Sequence, residues 1–143
     1  MIYQTDPVFP SVIQHYGCYL MSLYERLSTE YSYPFDPTSI MKIFNDGQVK
    51  GIIDSDCTIR NPQAFCDMIV GYGKVAFVGK TDPFYAPLEN DLEILCFHKD
   101  GASFNHFCSG DGHGLVHYDP WSVQGSDSVR NGSVIGKRIF RIV

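Results

Sequence analysis

Near residue 72 the hydrophobic period of this chain changes from helical to strand-like, and no other feature limits its possible folds so strongly. Before that point apolar residues recur at three- and four-residue steps. Leu20, Leu23, Tyr24 and Leu27 form one stripe, which predicts a helix from about Tyr16 to Glu30. A second, short helix is expected from Pro37 to Phe44, with Asp36 as N-cap, Pro37 in the first helical position and "NDG" as the stop. In "NPQAFCDMIVGYG" Asn61 caps a third helix and Pro62 opens it. Phe65, Met68 and Ile69 make its inner face until Gly71 and Gly73 end it.

After Gly73 the chain reads as strands: "KVAFVG", "DLEILCFHK", "FNHFCSG", "GLVHYDP" and "KRIFRIV", parted by short turns and one long Gly/Ser loop. Turns as tight as "KDGA" and "GDGHG" allow an antiparallel meander and leave no room for crossover helices. The expected fold class is α+β, with N-terminal helices packed on a C-terminal antiparallel sheet in one domain over residues 1–143.

Composition removes several function classes. Hydrophobic residues make up 44% and charged residues 19%, a globular balance. The net charge is -5 and the 11 Lys and Arg are scattered, so the basic stripe that a nucleic-acid backbone needs is missing. No apolar run reaches the length of a membrane span, and "MIYQTDPVFPSV" has neither the basic nor the apolar region of a signal peptide. The expectation is a cytoplasmic protein with no nucleic-acid and no membrane partner. Its five cysteines, Cys18, Cys57, Cys66, Cys96 and Cys108, form no CxxC pair, which argues for reduced thiols over a disulfide framework.

In "VIQHYGCYLM" Cys18 falls at the N-terminal end of the first expected helix, where unpaired N–H groups and the helix dipole favour a thiolate. A neighbouring imidazolium would lower its pKa further. Gly17 would let a substrate chain approach, and Gln14 is spaced to offer an amide N–H beside the Cys18 backbone N–H as an oxyanion hole. The plainer reading of Cys18 is a small buried hydrophobe. His106 stands within the strand "FNHFCSG", and Asp119 ends the next strand ahead of a proline. Adjacent antiparallel strands bring such residues together, so Asp119 is expected to accept the Nδ1 proton of His106 and turn the ring toward Cys18. Nucleophile, base and orienter then follow in the order Cys, His, Asp.

"QHYGCYLMSL" on a helix followed by "NHFCSGDGHGLVHYDPW" on two strands resembles the papain-like cysteine peptidases. The likeness is closest to the bacterial peptidases that remove double-glycine leaders from bacteriocins, and to their peptidase-like relatives. It spans about residues 10 to 121. The resemblance implies a papain-like fold, a peptide or protein substrate, an amide bond cleaved without a cofactor, Cys18 as nucleophile, His106 as base, Asp119 as orienter and Gln14 as oxyanion donor. The chain departs from that family in flanking its cysteine with Gly17 and Tyr19, and a bulky Tyr19 would narrow the cleft. The tail from Asp119 onward resembles small phage- and prophage-encoded proteins.

Two rival readings use the same residues. If a five-residue loop set Cys96 opposite Cys108 and His98 opposite His106, four soft ligands on one sheet face would suit zinc, although two-residue spacing splays them. A papain-like domain without turnover would still hold a peptide, with Trp121, Tyr118 and Phe107 as contact surface. Binding positions are therefore Gly17, Tyr19 and Trp121, and the preferred reading assigns no metal.

Overall fold

The helix expected to begin near Tyr16 is preceded by another. In the computed structural model, which describes residues 1–143, α1 spans Ser11–Tyr16 and α2 spans Cys18–Tyr31, with Gly17 alone between them. The Gly17 N–H donates to the Ile13 carbonyl at 2.9 Å and the Gly17 carbonyl accepts from Met21 N–H at 2.9 Å, so hydrogen bonding continues through the joint. A Cβ at residue 17 would stand 2.5 Å from the Ile13 oxygen. Glycine is thus demanded by the bend between α1 and α2. This corrects the expectation that Gly17 clears space for a substrate: the residue is buried, and α1 occupies the space its missing side chain leaves.

Helix α3 runs from Pro37 to Val49, opened by Asp36, whose carboxylate accepts the Ser39 N–H at 2.8 Å. It passes straight through "NDG". Gly47 is no stop; a Cβ there would lie 2.7 Å from Ile53 Cγ1, so its smallness lets the following loop pack on the helix. The stop comes at Lys50 and at Gly51, whose φ of 71° favours glycine. Helix α4, Pro62–Val70, keeps its expected bounds, with Asn61 accepting from Ala64 N–H at 3.0 Å. Its buried face is Phe65, Cys66 and Val70, while Met68 and Ile69 are only partly covered.

The strands are β1 (Val75–Thr81), β2 (Asp91–His98), β3 (His106–Gly110), β4 (Val116–Tyr118) and β5 (Ser133–Ile142). They form one antiparallel sheet in the order β1-β5-β2-β3-β4. The middle three make the expected meander, and β5 returns to lie between β1 and β2. The Gly/Ser loop holds a further short helix, α5 (Asp127–Asn131), capped by Ser126 Oγ, which accepts the Val129 N–H at 3.3 Å.

Nineteen buried residues form the main core, joining Leu20, Leu23 and Leu27 of α2 to Leu92 and Ile94 of β2 and Phe140 of β5. Each such side chain contributes about 1.5–3 kcal/mol by leaving water. On the opposite sheet face Leu95, Phe97 and Cys108 form a second, smaller cluster with Val129 and Val134. The α2 helix is tied to β3 by a reciprocal pair: Ser22 Oγ donates to the Phe107 carbonyl at 3.1 Å, and Ser109 Oγ donates to the Ser22 carbonyl at 2.8 Å. These two bonds fix the start of α2, and with it Cys18, against the strand that begins at His106. No helix is long and apolar enough to cross a membrane.

Candidate active site

Strand β4 ends at Tyr118, and Pro120 stops the ladder, so Asp119 turns out of the sheet into a ring of donors. Its Oδ1 accepts from His106 Nε2 at 2.7 Å and from Trp121 N–H at 2.9 Å, and its Oδ2 accepts from Ser126 N–H at 2.7 Å. The pairing of His106 with Asp119 agrees with the expectation, but the ring atom differs. Nε2, not Nδ1, faces the carboxylate, because His106 begins β3 and its ring reaches Asp119 with the far nitrogen. Nδ1 is left for another partner.

Both groups are buried, at 8% and 7% exposure. Burial alone would lower the His106 pKa, yet the Asp119 carboxylate, with the Cys108 and Cys18 sulfurs beside the ring, holds the proton and raises it well above the ordinary value. Burial would likewise raise Asp119, and the imidazolium together with two backbone N–H groups lowers it instead. Each group thus favours the charged form of the other.

Of the five cysteines only Cys18 is not buried. It is the first residue of α2 and lines a cavity of about 770 Å³. Burial pushes the Cys57 and Cys66 thiols up to about 12. It also pushes Cys108 up to about 11, partly opposed by His106, and raises Cys96. These four are held as thiols. The cavity lining includes Tyr19, the loop of residues 56–60, and Phe77, Lys80, Phe107 and Arg138 from the sheet. Tyr19 stacks on Phe107 with centroids 4.7 Å apart, and its buried hydroxyl has no protein partner. Tyr19 lines the cavity next to Cys18.

The other expected positions divide. Gln14 lies on α1, one turn before Cys18, where its Nε2 donates to the Phe9 carbonyl at 2.7 Å. One amide N–H is thus spent locally, and Gln14 is not among the residues lining the cavity. Trp121, 41% exposed, is not among the residues lining the cavity. Its expected substrate contact is corrected to a positioning one: the backbone N–H holds Asp119, and the carbonyl accepts from Thr5 Oγ1 at 3.1 Å. Tyr118 is also removed from the surface, packed edge-on against Phe35.

The zinc arrangement is overturned by register. Leu95 lies opposite Cys108, Cys96 opposite Phe107 and Phe97 opposite His106. One residue of slip sends Cys96 and His98 to the other face from His106 and Cys108. A different group, His106, Cys108 and Asp119, has its donor atoms within 4.8 Å of one another. It offers three donors where a structural zinc site takes four, and two of the three already neutralise each other.

Several contributors were not singled out from sequence. Gln4, buried in the N-terminal segment, donates from Nε2 to the Gln14 carbonyl at 3.0 Å and from its backbone N–H to the Pro120 carbonyl at 2.7 Å. It thereby ties α1 to the loop carrying Asp119. Ser126 gives Asp119 its third donor, and its place before an acidic residue in a short helical run was the readable sign. Lys80 and Arg138 were each on an expected strand, but their pairing was not.

The chain belongs to the family described as protein of unknown function, DUF261, whose profile matches residues 1–142. No curated protein and no solved structure matches it.

Proposed function

We propose that this chain is a papain-like cysteine hydrolase that cleaves an amide bond through an acyl-enzyme, with Cys18 as nucleophile, His106 as general base and Asp119 as orienter. The observation that carries the reading is the division of labour on the His106 ring. Nε2 is bound to a saturated, buried carboxylate at 2.7 Å, so proton exchange with a thiol falls to Nδ1. Two thiols neighbour the ring, Cys108 and Cys18, and Cys18 is the one that opens to the cavity. A helix whose first residue is the cysteine, packed on the antiparallel sheet that carries the histidine, supports the papain-like architecture.

In the proposed sequence the Cys18 proton already rests on His106 Nδ1, and the Sγ thiolate attacks the substrate carbonyl carbon. The carbonyl oxygen gathers the negative charge, which the Cys18 N–H stabilises. The Nδ1 proton then passes to the amide nitrogen as the C–N bond breaks, leaving a thioester on Cys18. Water, deprotonated by Nδ1, attacks the thioester; the C–S bond breaks, the acid product leaves, and the proton kept on Nδ1 restores the starting imidazolium–thiolate pair. Every proton and electron pair is accounted for by these side chains and water, so the reaction calls for no cofactor.

Alkylation by iodoacetamide across pH, read by peptide mass mapping with the other four cysteines as internal competitors, tests this. The expected result is fast labelling of Cys18 alone, persisting below neutral pH and lost in His106→Ala. Slow or indiscriminate labelling would overturn the mechanism and leave a peptide-holding domain.

A further inference from the structure

Lys80 on β1 and Arg138 on β5 are direct cross-strand partners. Both line the cavity onto which Cys18 opens. Like charges set opposite each other on antiparallel strands repel, and a chain with 16 acidic residues against 11 basic ones has carboxylates to spare for neutralising them. The neighbouring carboxylates serve other cations: Asp91 holds Arg141 at 2.7 Å and Glu93 holds Lys137 at 2.7 Å. Arg60, also on the cavity lining, is tied to Asp54 at 2.6 Å, and the Asp56 carboxylate accepts the Thr58 N–H at 3.0 Å. Asp56 also lines the cavity, and neither Lys80 nor Arg138 is in an ion pair with it or with any other carboxylate.

Arg138 is also held in place. Its Nη1 donates to the Lys137 carbonyl at 3.4 Å, and its guanidinium lies 5.3 Å over the Phe107 ring, which stacks in turn on Tyr19, the residue after Cys18. Two cations on the wall of the cavity that Cys18 lines, one of them held over Phe107 and neither in an ion pair, describe a carboxylate subsite.

We infer that Lys80 and Arg138 receive a carboxylate of the substrate, so that the molecule cleaved is a peptide presenting a carboxylate close to its scissile bond. The inference rests on Cys18 being the nucleophile of this cavity. Two sources of carboxylate share this chemistry, an acidic side chain and a chain terminus.

Chloroacetyl reagents separate the sources. Chloroacetyl-glutamate α-amide carries a side-chain carboxylate and chloroacetyl-glycylglycine a terminal one; the chloroacetyl-glutamine and glycylglycine amides are their neutral counterparts. Rates at Cys18, mapped by mass, are compared within each pair for the native full chain and for the chain unfolded in urea. We expect at least one anionic reagent to outrun its neutral counterpart about tenfold in the native chain relative to the unfolded one, through charge attraction in a partly desolvated cleft. The preference should vanish in Lys80→Gln/Arg138→Gln, and in the unaltered chain at about 1 M NaCl, where screening is nearly complete. The salt measurement stands even if the double variant does not fold. Equal ratios in native and unfolded chains, or a preference that survives both the variant and the salt, would overturn the inference. Changes in thiolate fraction move both reagents together and cancel in the ratio. The neutral reagent's own rate reports on the nucleophile, so the two readings fail separately.

Discussion

Two ion pairs are buried in this molecule at the same distance and with opposite character. Lys137 Nζ meets Glu93 Oε2 at 2.7 Å, with side chains 5% and 0% exposed; His106 Nε2 meets Asp119 Oδ1 at 2.7 Å, with side chains 11% and 5% exposed. In the first pair the second carboxylate oxygen accepts from the Gly112 and Gly114 N–H groups at 3.1 Å each, and Lys137 donates also to the Tyr85 carbonyl at 2.8 Å. That pair is closed: it pins the β3–β4 turn to the sheet. In the second, Asp119 is equally full, but one ring nitrogen of His106 is not committed to it, and the Cys108 and Cys18 sulfurs neighbour the ring. Distance does not separate a structural pair from a reactive one; the number of unspent donors and acceptors does.

The comparison breaks hardest on the closed side. Glu93→Gln leaves the Lys137 ammonium buried without its counter-charge, and a broken buried pair costs about 3–5 kcal/mol. Urea denaturation should show that loss, and Glu93→Gln with Lys137→Met should recover most of it. A loss below about 1 kcal/mol would mean that water reaches the pair. Asp119→Asn addresses the open side, where reactivity should suffer more than stability, since a neutral His106 can remain hydrogen-bonded to the amide. Alkylation of Cys18 at pH 6 should slow about 10²-fold, because the imidazolium that favours the thiolate is lost. In Glu93→Gln the same rate, per folded molecule, should not change. If both variants slow Cys18 alike, the contrast between the pairs is wrong.

A smaller effect sharpens the picture of closure. A Cβ at Gly110 would lie 2.8 Å from Glu93 Cγ and 2.9 Å from Cδ, within the sealed pair. Gly110→Ala should therefore cost about 1–3 kcal/mol through overpacking, measured by the shift in the urea midpoint at constant slope. A neutral result would show that the Glu93 side chain has room to move.

What the sequence made legible was local. Asp36, Asn61 and Pro62 act within one helical turn, and each does what its type and position imply. The order Cys18, His106, Asp119 was readable because the short turns of a meander keep β3 and β4 adjacent. The misses are contacts between distant segments. Gly47 reads as a stop until Ile53 is seen packing on it, and α1, at six residues, is too short to display a period. The slip that dissolved the zinc arrangement is a single residue, and the loop between β2 and β3 does not encode it. The choice of Nε2 over Nδ1 depends on where the ring stands relative to the Asp-Pro turn, and the cation pair on β5 returning between β1 and β2.

The last test uses pH to weigh the open pair. His106 has its pKa raised in the folded chain, so its contribution to stability is complete below its unfolded value of about 6.5 and declines as pH climbs toward the raised one. Asp119 has its pKa lowered, so its contribution is present above about 3.9 and is lost as pH falls through the depressed folded value. One interaction produces both flanks, so it is counted once, and its full strength falls between about pH 4 and 6.5. The difference in unfolding free energy between the unaltered chain and His106→Gln should shrink as pH rises from 6.5 toward 9, by up to about 1.4 kcal/mol per pH unit. Denaturation midpoints at pH 5, 7 and 9 measure it. A difference that stays flat over that range would mean that the ring is neutral in the folded chain, and Cys18 would then have no resting imidazolium beside it.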